Sequence, residues 1–421
     1  MKDLDTDTLG GLAQQIFDGV RALSRDTAGV SRPAFSSVET ETLAWLADFA
    51  RQNGLHVTED AGRNLLFSLP QDANATRWTL IGSHVDSVPM GGNYDGLAGV
   101  AAGLIGLIRA ARSGRRFRKP VKCIAMRGEE SAWFGACYLG SKMLTGQLPA
   151  DELAATHKGD DRPLSAHLQD LGIDTAPLAA HLPICDLSRI DEYLELHIEQ
   201  GPLLVERDIP AAVVSGIRGN FRHRKIRCIG QAGHSGAVPR AYRHDPVLAF
   251  AELMHRLDST WSHLQQTGDD LVLTSGIVGT DPASHAIARI PDELMFSLDI
   301  RSQDAEVLNQ MRRYLRAQMD DISRSRGVRF DTGSEVAVAP ALMDATIIAG
   351  LQDAMQQATG DTFTMASGGG HDAAIFAQAG IPAGMVFVRN RNGSHNPDEA
   401  MEIDDFLVGT AVLSTYLEEA P

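Results

Sequence analysis

The sequence predicts an α/β protein of two domains, the smaller inserted into the larger. Three observations carry this. The chain has 421 residues, too many for one comfortable core. Apolar strands alternate with amphipathic helices up to about residue 212 and again from Pro340. Between these stretches the rhythm changes. In the first stretch, SVETETLAWLADFARQNGL places Leu43, Leu46 and Phe49 on one helical face. WTLIGSH reads as a strand ending at His84, and VKCIAMRGEE as a buried strand ending at two acids. GLAGVAAGLIGLI at 96–108 is too short to cross a bilayer and reads as a buried helix following Asp95. EYLELHIEQGP alternates like a strand, and MVFVRNRNGSHNPDE is an apolar strand running into a loop. The middle stretch offers a strand at 222–230, a helix at 245–264, strands at 271–278 and 292–301, a helix at 304–325 and a last strand at 327–335. That is the β-α-β-β-α-β, ferredoxin-like order. The expected division is therefore 1–212 plus 336–421 for the larger domain and 213–335 for the smaller.

Composition narrows the class. With 38 basic and 54 acidic residues the formal charge is −16, which argues against a nucleic-acid or anionic-membrane surface. The basic run GRRFRK at 114–119 is expected to be a solvated loop. Cys123, Cys137, Cys185 and Cys228 form no C-x-x-C pair, and Cys123 falls in a buried strand, so reduced thiols and a cytoplasmic setting are expected. The acidic start, MKDLDTDTLG, lacks the apolar core of a secretion signal.

The chemistry concentrates at strand ends. IGSHVDSVPMGGNYDGLAGV supplies His84 at the carboxyl edge of a sheet, Asp86 placed to orient its imidazole, and Asp95 in a glycine-rich frame. Gly91, Gly92 and Gly96 leave room for an unusual backbone path around a carboxylate shared by two cations. Glu129 and Glu130 repel one another unless cations sit nearby, which suggests one metal ligand and one general base. His197, with Gln200 close behind, and His395 end the other two clusters. The glycine-rich SGGGHDAAIF at 367–376 lacks a nucleotide fingerprint, and its backbone N–H groups around Gly369 suit a substrate carboxylate, with His371 and Asp372 behind them. His157, His167, His181, His255 and His263 read as ordinary surface or packing positions.

From SRPAFSSVETETLAWLADFARQNGL through GSHVDSVPMGGNYDGLAGV, the EE pair, LHIEQGP, AGHSGAVPRAYRHD, LDIR, SGGGHDAA and GSHNPDE, the chain resembles a family of metal-dependent amidohydrolases. That family includes N-carbamoyl-L-amino-acid hydrolase, allantoate amidohydrolase and beta-ureidopropionase. The resemblance implies a three-layer α/β catalytic domain with a central mixed sheet and an inserted ferredoxin-like lid or dimerisation domain. It implies two divalent ions, zinc foremost, although manganese, cobalt and nickel also suit the ligands. One ion is assigned to His84, Asp95 and His197, the other to Asp95, Glu130 and His395. Glu129 becomes the catalytic base, Asp86 supports it, and Gln200, His234 and Arg301 meet the substrate, with contact expected across a homodimer. The implied reaction is hydrolysis of an N-carbamoyl-L-amino acid or related ureido acid. Cleavage of a dipeptide or N-acyl amino acid, and an inactive metal-dependent binding protein, are the alternatives. Neither nucleic acid nor membrane is an expected partner.

Departures from the family pattern bear on substrate identity. Ala288 stands where the family usually has a carboxylate-binding Asn, and Ser131, Ala132, Trp133 and Phe134 follow the EE pair in place of the usual Gly and Arg. Arg389, Asn390, Arg391 and Asn392 precede His395, so Arg389 and Arg391 either pair with Asp398, Glu399 or other local acids or serve as two cations for a second acidic group on the substrate.

Overall fold

Four parallel strands form the centre of a nine-stranded mixed sheet in the computed structural model, which describes residues 6–418. In sheet order these four are Val121–Met126, Trp78–His84, Ile190–Ile198 and Ala383–Val388. Leu65–Ser68 and His56–Glu59 extend one side antiparallel, and Ala211–Ile217 then Ala341–Leu342 extend the other, with Thr364–Ser367 also pairing to Ala211–Ile217. Three of the central four are buried along their whole length, as expected of strands covered on both faces. Alternation sorts the fourth: Leu194, Leu196 and Ile198 join the core shared with helices Leu97–Ser113 and Ile403–Leu417. Tyr193 points the other way and stacks on Phe376 of helix Asp372–Gln378 at 4.0 Å. His197 lies two pleats beyond Tyr193 and so shares that second face.

The chain divides into a larger unit, up to Ile217 and from Leu342 onward, and a smaller one, Arg218–Ala341. Both limits lie a few residues beyond the expected 212/213 and 335/336. The strand Ala211–Ile217 hydrogen-bonds to Ala383–Val388 and so completes the large sheet, whereas Glu335–Val338 pairs with Gly219–Ile229 in the small one.

In the smaller unit, Gly219–Ile229 and Glu293–Ser302 pair antiparallel at the centre of the sheet. The strict burial alternation of Glu293–Ser302 shows one covered face, packed by helices Pro246–Thr267 and Ala305–Arg326. The Arg- and Gln-rich helix spends its apolar stripe here, burying Val307, Leu308, Met311, Leu315, Met319 and Ile322. Two expected edge strands are each broken in two. Val272–Thr274 and Val278–Gly279 pair with opposite ends of Glu293–Ser302. Arg329–Asp331 and Glu335–Val338 flank a turn in which Gly333 has positive φ. A short ribbon of Gly233–His234 and Arg289–Ile290 is an addition to the expected order. No helix among the described residues is long and apolar enough to cross a membrane.

Candidate metal centre

The carboxyl ends of the four parallel strands deliver the site, the position where open α/β sheets bind ligands. His84 ends its strand opposite Met126, and His197 lies opposite Phe387. Glu129 and Glu130 follow Met126 by three and four residues, and His395 follows Val388 by seven.

Asp95 is the meeting point. Its Oδ1 lies 3.1 Å from His197 Nε2 and 3.5 Å from His84 Nε2. Its Oδ2 lies 3.4 Å from His395 Nε2, which is itself 3.3 Å from Glu130 Oε1. Two triads of ligand atoms thus share one carboxylate: His84, Asp95 and His197, and Asp95, Glu130 and His395. Charge-assisted hydrogen bonds between such groups close to about 2.7–2.9 Å. The edge of a tetrahedron built on bonds of about 2.0–2.1 Å is instead about 3.3–3.4 Å. The observed spacings fit donors arranged around a cation.

Local backbone geometry aims these groups. Gly96, at φ 66° and ψ −51°, forms a tight turn in which Leu97 N–H donates to the Asp95 carbonyl at 2.7 Å, and the helix Leu97–Ser113 starts there. This positive-φ γ-turn is rare and strained for other residues. Gln200 and His395 also sit at positive φ, 62° and 60°, and such non-glycine outliers cluster at functional sites. Asn390 holds one of them, accepting the Gln200 N–H at 2.9 Å, while Gln200 Nε2 donates to Asp95 Oδ2 at 2.8 Å.

Asp86 ties the two halves together. Its carboxylate lies 3.3 Å from His84 Nδ1 and accepts the backbone N–H groups of Glu129 and Glu130, each at 3.0 Å. The turn into those acids is pinned by Glu39, which takes Arg127 Nη1 at 2.7 Å and Gly128 N–H at 3.1 Å.

The electrostatics are those of a buried anionic cluster. Burial works against the Asp95 carboxylate, but His197, His395 and His84 outweigh it and hold its pKa well below the ordinary range. Glu129 is held well above its ordinary value by burial and by the charges of Glu130, Asp372 and Asp86, against the pull of His84. Burial and Asp95 also raise Glu130. His395 is pushed up to about 11 by its contacts with Asp95 and Glu130. His371, buried beside the His197 ring at 4.3 Å, is held well below the usual value by burial and by His197. Its Nε2 is 2.9 Å from Ser367 Oγ, which also donates to the Gly369 carbonyl at 2.8 Å.

Of the residues assigned to the smaller unit, His234 is exposed and its Nδ1 accepts from Gly236 and Ala237 N–H, each at 3.2 Å. Arg301 bonds Asp299 through Nε at 3.2 Å and Nη2 at 2.9 Å. Ala288 lies at the end of the ribbon strand paired with His234, its carbonyl accepting Ser235 N–H.

Of the two readings of the arginines, the structure shows pairing with local acids. Arg389 grips Asp405 through Nε at 2.8 Å and Nη2 at 2.9 Å and also meets Asp208, while Arg391 pairs with Glu402 at 3.2 Å on the surface. Local carboxylates on the following helix Ile403–Leu417 and its cap satisfy both cations. The run 114–119 is a mostly exposed loop, as expected, in which Arg115 pairs with Glu418 and Arg118 lies over the Tyr416 ring at 4.7 Å.

Several residues escaped the sequence. Ser394 donates to Asp95 Oδ2 and, at 2.8 Å, to Glu399, whose other oxygen takes Tyr94 N–H at 2.8 Å and Asp95 N–H at 3.3 Å. Glu195 is fully buried under the centre, bonded by Ser83 Oγ at 2.6 Å and Ala373 N–H at 2.9 Å, and groups with His197 and His371. Arg32, also fully buried, donates to the Val85 carbonyl at 2.6 Å and Asn93 Oδ1 at 3.0 Å. Burial pushes its pKa down to about 10 against the opposing charges of Asp86, Glu399, Asp95 and Glu130. Only Glu195 had a signal, its two-residue offset from His197.

A carboxylate shared by two ligand triads, with a further raised glutamate beside them, defines the class of hydrolases built around divalent cations. The chain belongs to the peptidase family M20/M25/M40, whose model matches residues 80–419. It is 32% identical over 388 residues to the N-carbamoyl-L-amino-acid amidohydrolase of Pseudomonas sp. (strain NS671), covering 91% of this chain and 92% of that protein. It is 30% identical over 390 residues to the allantoate amidohydrolase of Escherichia coli (strain K12), covering 92% of each. A solved hydantoinase/carbamoylase family amidase from Burkholderia ambifaria matches with a TM-score of 0.82 and 27% identity over 98% of both chains.

Proposed function

We propose that this amidohydrolase cleaves the C–N bond of an N-carbamoyl-L-amino acid or a related ureido acid. The observation that carries the mechanism is the pair of triads meeting at Asp95 with Glu129 alongside, its Oε2 3.8 Å from His84 Nε2. His84, Asp95 and His197 would hold one divalent ion, and Asp95, Glu130 and His395 a second, with zinc the first choice and manganese, cobalt or nickel compatible. When bound, such ions lower the pKa of a water and polarise a carbonyl.

The residues supply the rest. Glu129, whose buried setting raises its proton affinity, acts from its carboxylate form, taking a proton from the attacking water and returning it to the leaving nitrogen. Because His234 Nδ1 accepts backbone N–H groups, its proton resides on Nε2, leaving a donor for the oxyanion formed at the carbonyl. Gln200 and Gly369 lie side by side, since a Cβ on Gly369 would come within 2.7 Å of Gln200 Oε1, and this suits them to bind one substrate carboxylate together. Arg301, steadied by Asp299, provides a cationic contact. For a carbamoyl substrate, water adds to the carbonyl carbon and the bond to the amino-acid nitrogen breaks. The amino acid leaves, and the carbamate decomposes to carbon dioxide and ammonia.

We place the protein in the cytoplasm as a homodimer joined through the smaller unit. All four cysteines are free thiols, and Ile277 and Val278 stand exposed beside an edge strand of that unit. The decisive experiment offers metal-loaded protein the N-carbamoyl, N-acetyl and glycyl derivatives of one amino acid. Ammonia and free amino acid are expected in equal amounts from the carbamoyl compound. Faster release from the acetyl or glycyl compound, without ammonia, would overturn the assignment in favour of a deacylase or dipeptidase.

A further inference from the structure

We propose that His157, Asp160 and His167 hold a further divalent transition-metal ion, of the zinc, nickel or cobalt class. The sequence marks these histidines as packing positions, but the fold brings them onto one carboxylate oxygen. His157 Nδ1 and His167 Nε2 each lie 3.3 Å from Asp160 Oδ1. That again matches the tetrahedral edge of about 3.3–3.4 Å rather than a charge-assisted hydrogen bond of about 2.7–2.9 Å.

Gly159 N–H donates to His157 Nδ1 at 3.2 Å, so that nitrogen is unprotonated, and a bound ion would displace this N–H from its single lone pair. An acceptor nitrogen thereby faces an acceptor oxygen, an arrangement that a shared cation relieves. The surroundings are those of a built site. Both imidazoles are only 12% exposed, whereas Asp160, at 41%, opens the remaining coordination position to water. Trp133 stacks on His157 at 5.7 Å and 10°, and Phe134 meets His167 edge-on at 5.3 Å. Apolar walls of this kind strengthen a charge–dipole site by excluding water. The loop is already closed, with His157 N–H bonded to the Arg162 carbonyl at 2.8 Å and His167 carried on helix Leu164–Asp170.

The placement gives the ion a structural role. Lys158 N–H donates to the Trp133 carbonyl at 2.9 Å, and Trp133 Nε1 donates to the Ser87 carbonyl at 2.8 Å. The ion would fasten this loop to the short helix Ser131–Phe134 that follows Glu130, and through Trp133 to the segment following Asp86.

The test compares zinc retained after equilibration and desalting by the parent, His167→Gln and Asp160→Asn, all in a Glu130→Gln background that weakens the main centre. Both variants are expected to keep one ion per chain fewer than their parent. Titration with cobalt is expected to quench the Trp133 emission, obtained by difference from Trp133→Phe, and to lose that quenching in His167→Gln. Equal zinc content in all three chains would overturn the proposal. If the variants fail to fold, unquenched Trp133 emission in the otherwise unmodified protein would overturn it equally.

Discussion

Replacing Gly96 with Ala tests whether the turn at Asp95 sets the metal centre. Two penalties follow from the geometry. At φ 66° and ψ −51° the backbone is one that L-residues rarely adopt, which costs alanine about 1–3 kcal/mol of stability. The new methyl would also lie 2.4 Å from His84 Cε1 and 2.5 Å from both ring nitrogens. Restoring ordinary contact at about 3.4 Å requires the imidazole to withdraw by about 1 Å, several times the roughly 0.2 Å that metal–ligand distances tolerate. Displacement of about 1 Å at a reacting centre costs on the order of a hundredfold in rate. Gly96→Ala is therefore expected to lose one bound ion per chain and about a hundredfold in kcat/KM, while its urea midpoint reports a loss of no more than about 3 kcal/mol. Gly106→Ala, in the helix Leu97–Ser113, is the control, because its Cβ meets only Ser414 Oγ of helix Ile403–Leu417 at 3.4 Å, and it is expected to hold or gain stability. A Gly96→Ala protein with full metal content and kcat/KM within about threefold of the parent would refute the reasoning.

Three further outcomes are expected. Glu129→Gln lowers kcat by about a hundred- to ten-thousandfold with metal content unchanged, whereas Glu130→Gln and His395→Ala lower metal content in elemental analysis. Arg389→Ala costs about 1.5–3 kcal/mol in chemical denaturation through loss of its grip on Asp405, yet leaves the ratio of kcat/KM for carbamoyl-aspartate over carbamoyl-leucine unchanged. Mixing inactive Glu129→Gln with inactive His234→Ala under subunit exchange restores partial activity if His234 serves a neighbouring subunit; no recovery after proven exchange places its contact within one chain.

The strand-end chemistry was legible because it depends on short-range order. His84 and His197 occupy strand ends that apolar patterning reveals, and Glu129 follows a strand that is apolar or Cys at every position but Lys122. The supporting contacts were not legible, since they span long separations. Glu399 reaches Tyr94 and Asp95 across about three hundred residues, and Arg32 reaches Asn93 from a segment without periodicity. The sequence left the partners of Arg389 and Arg391 open for the same reason. Their spacing suggested a shared direction, but the strand stops at Val388 and each found its own carboxylate. The edge strands broken at Gly333 and between Thr274 and Val278 were read as continuous, since β-propensity carries no information about which partner ends where.

The chain leaves the large sheet on Ala211–Ile217 and re-enters it on Ala341–Leu342, the strand immediately beside it. None of the five candidate ligands, nor Glu129, comes from the intervening segment. Inheritance can therefore treat the two parts as separate cassettes. Residues 218–341 can drift or be exchanged without rewriting any strand that carries a candidate ligand. A lineage built this way can vary the inserted segment while the strands carrying the candidate ligands stay fixed.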